Sequence, residues 1–390
     1  MSRVILNLRY LYRYALWNTP TIFDYRKFPS DPVDKGDAEF SFKHDRSLVD
    51  HASSLLNSIT YNYKSEKITR SLDEFLKSTE TTGFIVARGD EILMEKYFNG
   101  FARDSVFTSF SVAKSFLSSL VGIAVDEGKI SSLYEKVIDY IPELRGKVSD
   151  ELNIEHLLNM SSGLGYDHRY YPWSDEPKSY HFPDLQHLVL KNSRKGFKPG
   201  SYFMYTNYNA ILLGLILLRT TNELPQKYLQ DKIWTKIGMQ YPASWSTDSR
   251  KSNFPKLESG INARCIDYAK FGLLILNSGR WDKRQIISPG WFSSLNTPPE
   301  IRDPQYYQAM NFFPYKMFFS DKRLYYKLGW WGLRTDGQLN DLVAIGNLGQ
   351  FIYISPSTRI IIVRNGIKWG KINWWPALFT DISNKLNEFG

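Results

Sequence analysis

The sequence predicts an α/β protein of the α+β type. Strands near the two ends of the chain form one antiparallel sheet flanked by helices, and a mostly helical segment is inserted between them. Three observations support this fold class. Apolar, branched runs typical of strands occur at residues 83–98 and again at 351–364, and long apolar helical patterns lie between them. The 390 residues, with 43% hydrophobic content, are enough to bury a large core.

The first 43 residues are predicted to form an amphipathic helix followed by an extended arm. In residues 1–16, one helical face carries Val4, Leu8, Leu11 and Ala15, and the opposite side carries Arg9 and Arg13. Such a helix either lies on a membrane surface or docks on the main domain, and docking is the favoured alternative. Because the arginines interrupt the apolar region, the pattern is not that of a cleavable signal. Location is left open between cytoplasmic and peripheral membrane.

Residues 44–390 are predicted to form one domain, with an α/β part at about 44–132 and 239–390 and a helical insertion at about 133–238. Two apolar runs around Gly89-Asp90 indicate a β-hairpin. The other predicted elements are helices at 111–127, 210–220, 266–277 and 376–388 and strands at 351–355 and 359–364.

Composition excludes several classes of site. The single cysteine, Cys265, rules out an internal disulfide, and the six histidines show no spacing typical of metal ligands, so neither a metal nor another cofactor is expected. A formal charge of +9 would attract anionic surfaces, but the basic residues are scattered and no nucleic-acid-binding motif occurs. No apolar stretch is long enough for a membrane span. The sequence carries no signal for an oligomeric state.

The residues Ser111-Val-Ala-Lys114, at the start of the predicted helix 111–127, form a candidate nucleophile and base. A serine hydroxyl attacks a carbonyl only when a nearby base takes its proton. One helical turn separates the two side chains, and the positive end of the helix favours negative charge at the serine. Lysine acts as a base only when neutral, which burial or a second cation would promote.

Two further polar residues, Tyr205 and Asn207, precede another apolar helix. A phenol beside a cationic lysine can shuttle a proton between the serine and a leaving group, and the Asn207 amide could hold both Lys114 and a substrate carbonyl. A chain of this length is expected to contain about one Ser-x-x-Lys by chance, so the spacing alone is weak. The order of the motifs along the chain makes the match specific.

Several blocks support a resemblance, including residues 154–164, Pro199-Gly-Ser-Tyr-Phe-Met-Tyr-Thr-Asn207, Asp267-Tyr-Ala-Lys-Phe-Gly and residues 346–356. From about Gly83 onward the chain resembles the serine β-lactamase and penicillin-binding-protein superfamily, in particular its class C β-lactamase-like branch of esterases and 6-aminohexanoate-dimer hydrolases. The resemblance implies a β-lactamase/transpeptidase-like fold and a serine hydrolase that forms an acyl-enzyme on Ser111.

The resemblance also implies roles for the other site residues. Lys114 matches the activating lysine, Tyr205 the general base and acid, and Asn207 the second-motif asparagine. Ala344-Ile-Gly346 occupies the third motif, so the N–H groups of Ser111 and Asn347 would form the oxyanion hole. Tyr170 lies in an aromatic, acidic loop where related hydrolases place substrate-contacting side chains; a solvated loop is the equal alternative.

Ala344 departs from the family pattern, because penicillin-recognising enzymes usually have a cation there that binds a substrate carboxylate. We therefore expect a small-molecule or short peptide-like ester or amide as substrate. Two alternatives stay open, a β-lactamase or D-alanyl-D-alanine peptidase with the same residues, and a non-catalytic scaffold of the same fold.

Overall fold

The computed structural model describes residues 3–17, 19–300, 305–310, 315–337 and 339–388. Its helices are α1 (Arg3–Trp17), α2 (Arg46–Leu55), α3 (Leu72–Ser78), α4 (Ala113–Asp126), α5 (Val137–Tyr140), α6 (Ile154–Leu158), α7 (Asp175–His181), α8 (Leu185–Asn192), α9 (Asn207–Thr221), α10 (Pro225–Leu229), α11 (Cys265–Leu276), α12 (Pro289–Asn296) and α13 (Trp375–Asn387). Its strands are β1 (Ser30–Val33), β2 (Ile59–Tyr63), β3 (Glu66–Arg70), β4 (Thr81–Arg88), β5 (Glu91–Tyr97), β6 (Phe107–Thr108), β7 (Ala243–Ser246), β8 (Ile261–Ala263), β9 (Arg280–Trp281), β10 (Arg284–Gln285), β11 (Leu324–Lys327), β12 (Trp330–Leu333), β13 (Asp341–Gly346), β14 (Gln350–Ser355) and β15 (Ile360–Gly366).

A seven-stranded antiparallel sheet joins the two ends of the chain, with strand order β11-β12-β13-β14-β15-β4-β5. Strand β15 from the C-terminal part pairs with β4 from the N-terminal part, with Val363 opposite Ile85. The predicted hairpin around Gly89 is β4-β5, in which Arg88 pairs with Glu91. The predicted fold class is therefore confirmed.

Helices cover both faces of this sheet. Along β4, Ile85 and Ala87 belong to the core shared with α11, whereas Phe84 and Val86 belong to the core shared with α3 and α13. A strand that is buried on both faces is apolar at successive positions, as β4 is from Gly83 to Ala87. This double burial explains why the strand appears in the sequence as a continuous apolar run.

The segment between β6 and β7 contains helices α4 to α10 and no strand. Helix α4 is buried along almost its whole length and packs against α9 and the sheet. The predicted helices at 111–127 and 210–220 correspond to α4 and α9. The insertion is helical as expected, and its boundaries at 133 and 238 stay a prediction.

The arm after α1 differs from the expectation of a purely extended linker. Its strand β1 pairs antiparallel with β7, and together with β8 and β6 they form a four-stranded sheet. The arm was hard to identify as a strand because β1 has only four residues, including Pro32, and pairs with residues more than 200 positions away. Proline at an edge strand costs no ladder hydrogen bond, which fits this position.

Helix α1 docks on the domain, the alternative that the sequence favoured. Leu6 and Tyr10 are buried, and the Arg13 guanidinium donates to the carbonyl oxygens of His181 at 3.2 Å and Asp248 at 2.6 Å. The face that contacts the domain is not the apolar one, however. Arg13 faces the domain, whereas Leu8, Leu11 and Ala15 face solvent; the side chain of Val4 lies outside the described part.

Candidate active site

Ser111 lies in a 3₁₀ turn, Phe110–Val112, that leads into α4. Phe110 has φ +45°, a left-handed conformation that costs a bulky residue about 1–3 kcal/mol. The expectation that Ser111 starts the α-helix is corrected by two residues, since α4 begins at Ala113. The tight turn leaves the Ser111 side chain half-buried on the wall of a pocket of about 800 Å³.

The Lys114 ammonium, from the first turn of α4, has three hydrogen-bond acceptors at 3.0 Å. They are Ser111 Oγ, Asn207 Oδ1 and the backbone carbonyl oxygen of Glu258. Only 3% of Lys114 is exposed. Burial lowers the pKa of Lys114 to about 8, against the opposing charges of Glu258 and Glu176. At pH 7 about one-tenth of Lys114 is therefore neutral, and this is the form that the hypothesis of a lysine base requires.

Tyr205 lies over Lys114, with the ammonium nitrogen 4.9 Å from the ring centroid. The ring is held by stacking on Trp331, at 5.8 Å and 19°, and by an edge contact with Tyr326. Its hydroxyl is hydrogen bonded to Ser111, and burial raises the pKa of Tyr205 above its ordinary value. In the free protein this phenol therefore keeps its proton at neutral pH.

Asn207, the first residue of α9, connects three helices. Its Oδ1 accepts from Lys114, and its Nδ2 donates to Ser179 Oγ at 2.9 Å and to Glu176 Oε1 at 3.3 Å, both on α7. Because each amide atom has a fixed partner, the amide orientation is determined. The four residues predicted to carry the chemistry, Ser111, Lys114, Tyr205 and Asn207, are thus brought together.

Two carboxylates at this site, the half-buried Glu176 and the buried Glu258, were not predicted from the sequence. Glu176 accepts from the Tyr166 hydroxyl at 2.8 Å, and burial raises the pKa of its carboxyl group. Glu258 pairs with Lys256 at 2.8 Å. Glu176 directly follows the aromatic, acidic loop considered for substrate contact, so that loop was the available signal. Glu258 had no signal, because its contact to Lys114 is made by the backbone.

The end of β13 carries the third motif to the same pocket. A Cβ atom on Gly346 would lie 2.4 Å from the carbonyl oxygen of Ser109, so only glycine lets the strand approach the turn that holds Ser111. Gly346 and Asn347 line the pocket together with Ser111. Ala344 is buried in the core instead, in the cluster that includes residues of α4.

The pocket wall is mostly apolar, with Phe110, Met317, Phe318, Trp331, Leu348 and Trp369. Tyr170 also lines it, and its hydroxyl shares a hydrogen bond with His181 Nε2 at 3.1 Å. Lys368 is a cation on the rim, where it pairs with Glu80 at 2.9 Å. Over the described residues, no three His, Cys, Asp or Glu side chains cluster as metal ligands would.

A family model described as Beta-lactamase matches residues 68–364. The chain belongs to the beta-lactamase family. It is 26% identical over 319 residues to the 6-aminohexanoate-dimer hydrolase of Paenarthrobacter ureafaciens, covering 78% of this chain and 75% of that protein. The family and this relative identify the chain as a hydrolase, and they confirm the resemblance predicted from the motifs.

Solved structures show the same fold at lower identity. A Bacillus anthracis protein, provisionally assigned as a 6-aminohexanoate-dimer hydrolase, gives a TM-score of 0.75 at 19% identity over 96% of this chain and 94% of its own. A penicillin binding protein from Bacillus halodurans gives a TM-score of 0.61 at 16% identity, and the match covers 80% of this chain and 99% of that protein. Both support the β-lactamase/transpeptidase-like architecture.

Proposed function

We propose that this hydrolase is a serine enzyme that cleaves an ester or amide bond through an acyl-enzyme on Ser111. One observation carries the proposal. Lys114 Nζ lies 3.0 Å from Ser111 Oγ, the Tyr205 hydroxyl is hydrogen bonded to the same serine, and Ser111 and Tyr205 both line the pocket. A nucleophile, a base of lowered pKa and a second proton carrier are thus assembled at hydrogen-bond distance.

In the acylation step, Ser111 Oγ bonds to the substrate carbonyl carbon while neutral Lys114 takes the serine proton. Tyr205 gives its own proton to the departing alcohol or amine and is reprotonated by Lys114. The pKa shifts favour Lys114 as the base and Tyr205 as the acid, because burial lowers the pKa of Lys114 and raises that of Tyr205. The N–H groups of Ser111 and Asn347 would bind the oxyanion.

Deacylation reverses the proton path. A water molecule attacks the acyl carbonyl and loses a proton to the Tyr205–Lys114 pair, and Ser111 Oγ leaves and regains its proton. Asn207 keeps Lys114 in place throughout, since its Oδ1 bond does not depend on substrate. No cofactor takes part in this sequence.

The pocket favours a substrate with an apolar acyl or leaving group, because aromatic and aliphatic side chains form most of its wall. Ala344 supplies no cation to the third motif, and Lys368 on the rim is already paired with Glu80. We therefore expect turnover of p-nitrophenyl esters to exceed turnover of nitrocefin. The reverse order would favour a β-lactamase or peptidase with the same residues.

The test of the nucleophile is intact-mass detection of an adduct after exposure to a fluorophosphonate. Wild type should gain one adduct and Ser111→Ala none. Ser259→Ala is the matched control, because Ser259 is the second serine lining the pocket and its hydroxyl bonds Glu258 at 2.9 Å. Equal labelling of wild type and Ser111→Ala contradicts the assignment of Ser111 as the nucleophile. If neither protein is labelled and wild type shows no ester turnover, the result supports a non-catalytic scaffold.

A further inference from the structure

The outward side of α1 is apolar although it faces solvent. Ile5, Leu8, Leu11, Tyr12 and Leu16 are each between 44 and 64% exposed, and Ala15 lies among them. The helix is held by its other side, through Leu6, Tyr10 and Arg13. An amphipathic helix would normally turn polar residues outward, so this arrangement leaves an apolar ridge without a partner within the described chain.

A second exposed apolar element lies beside α1. Tyr171 and Trp173 stack on each other at 5.2 Å and are both exposed. Their loop is joined to α1, since the Tyr10 hydroxyl donates to the Pro172 carbonyl at 2.7 Å and the Tyr14 hydroxyl to the Tyr170 carbonyl at 3.0 Å. Of the twelve large apolar or aromatic side chains exposed in the described residues, eight lie in α1 or at positions 170–173. Such concentration marks an interaction surface.

Positive charge borders the same surface. Helix α1 contains no acidic residue, and Arg9 is exposed beside the ridge. The loop whose Asp248 carbonyl accepts from Arg13 continues into Arg250 and Lys251, which are both exposed. Aliphatic residues at the centre, Tyr and Trp beside them and cations around them are the composition that suits the headgroup boundary of an anionic bilayer.

We propose that the outward face of α1, with Tyr171 and Trp173, docks on an anionic lipid surface without crossing it. Within the described ranges, none of the helices has the length and apolar character needed to span a bilayer. A second copy of the chain fits less well. A symmetric contact repeats the same patch, so it would bring the arginines of two acid-free helices together without a carboxylate from either helix to pair with them.

The docking surface is continuous with the mouth of the pocket. Tyr170, at the start of the 170–173 turn, lines the pocket, and so does Pro20, which follows α1 by three residues. A protein docked through this surface would therefore present its pocket mouth close to the lipid. The inference concerns binding and is tested by binding, so its failure would leave the nucleophile assignment unaffected.

The experiment is co-sedimentation of the full chain with vesicles of phosphatidylcholine, with and without about one-third phosphatidylglycerol. Wild type should bind the anionic vesicles, and raising the salt from about 0.1 to 0.5 M should weaken binding several-fold. Leu8→Gln/Leu16→Gln should reduce the partition coefficient about tenfold or more, because both side chains would enter the acyl boundary.

The matched control is Tyr134→Gln/Leu339→Gln, which alters one aromatic and one aliphatic side chain, 72 and 46% exposed, elsewhere on the surface. It should bind as wild type does, and both double variants should keep the wild-type thermal midpoint. The proposal is overturned if the wild-type protein does not bind anionic vesicles, or if the Leu8→Gln/Leu16→Gln variant binds them with the wild-type partition coefficient. A dimer in sedimentation velocity that these substitutions dissociate also overturns it, because the face would then belong to a second copy.

Discussion

Two buried lysines on either side of Glu258 differ in the kind of acceptor they contact. Lys114 donates to the Glu258 backbone carbonyl and to two other uncharged oxygens, at 3.0 Å each. Lys256 donates to the Glu258 carboxylate at 2.8 Å and to the Tyr180 carbonyl at 2.6 Å. Lys256 also lies 4.2 Å from the Tyr180 ring centroid and 4.6 Å from that of Phe28.

The difference shows how a single residue, Glu258, can contact both a structural lysine, Lys256, and a reactive one, Lys114. Burial lowers the pKa of both lysines, but at Lys256 the Glu258 charge and the hydrogen bond that Lys256 donates to that carboxylate directly oppose the shift. Loss of a proton from Lys256 would leave a buried carboxylate without its partner. Loss of a proton from Lys114 leaves only neutral acceptors, so the proton can be exchanged at low cost.

The largest expected effect is on catalysis, in Lys114→Met. We expect kcat/KM on a p-nitrophenyl ester to fall at least about a thousandfold, equivalent to about 4 kcal/mol, because the base is removed. The free energy of unfolding should change by no more than about 1–3 kcal/mol, since only neutral acceptors lose a donor. Ester kinetics and urea unfolding measure the two quantities. Near-normal turnover by a folded Lys114→Met protein would exclude the lysine as base.

Lys256→Met should show the opposite pattern. The Glu258 carboxylate, 1% exposed, would lose its cation, and we expect unfolding in urea to show a loss of about 3–5 kcal/mol. The folded protein should retain activity within about tenfold, because Lys256 contacts neither Ser111 nor Tyr205.

Lys256→Met/Glu258→Gln tests the cause of that loss. Removal of the negative charge should recover part of the lost stability, since the Glu258 backbone bond to Lys114 does not depend on its side chain. A double variant no more stable than Lys256→Met would mean that packing, not the unpaired charge, produces the effect.

The fold was predictable where the pattern is local. Helix α4 has apolar residues at helical spacing, and the hairpin β4-β5 has two apolar runs around a Gly-Asp turn, so periodicity and turn residues locate them. The sheet β1-β7-β8-β6 was missed, because its strands have two to four residues and two of its three pairings join residues more than 150 positions apart. The sequence also could not show which face of α1 contacts the domain, since the inward position of Arg13 depends on carbonyls 168 and 235 residues away.

The candidate site shows the same division. Ser111 and Lys114 are one turn apart, and Tyr205 and Asn207 are two residues apart, so motif spacing predicts both pairs. Which groups tune Lys114 could not be predicted, because Glu176 and Glu258 reach it only through the tertiary fold. Local spacing therefore predicted the candidate catalytic residues, but it did not predict the charged groups that set the pKa of Lys114.

The smallest expected effect is a shift in the pH dependence of kcat/KM, and it distinguishes the role of Lys114 from that of Lys256. The pKa of Lys114 is lowered to about 8, so kcat/KM should rise with pH below about pH 8 as Lys114 loses its proton. Above that pH, kcat/KM should level off. The Glu176 charge opposes that lowering, so Glu176→Gln should lower the pKa of Lys114 further and move the rise to lower pH by roughly half a unit.

Glu223→Gln is the control carboxylate for this shift. Glu223 is exposed and is not among the groups whose charges act on Lys114, so its removal should leave the profile in place. Lys256→Met must act in the opposite direction to Glu176→Gln, because the Lys256 charge lowers the pKa of Lys114 and its loss raises it. If all three variants kept the wild-type profile, the titrating group would not be Lys114, and the contrast between the two lysines would be one of structure only.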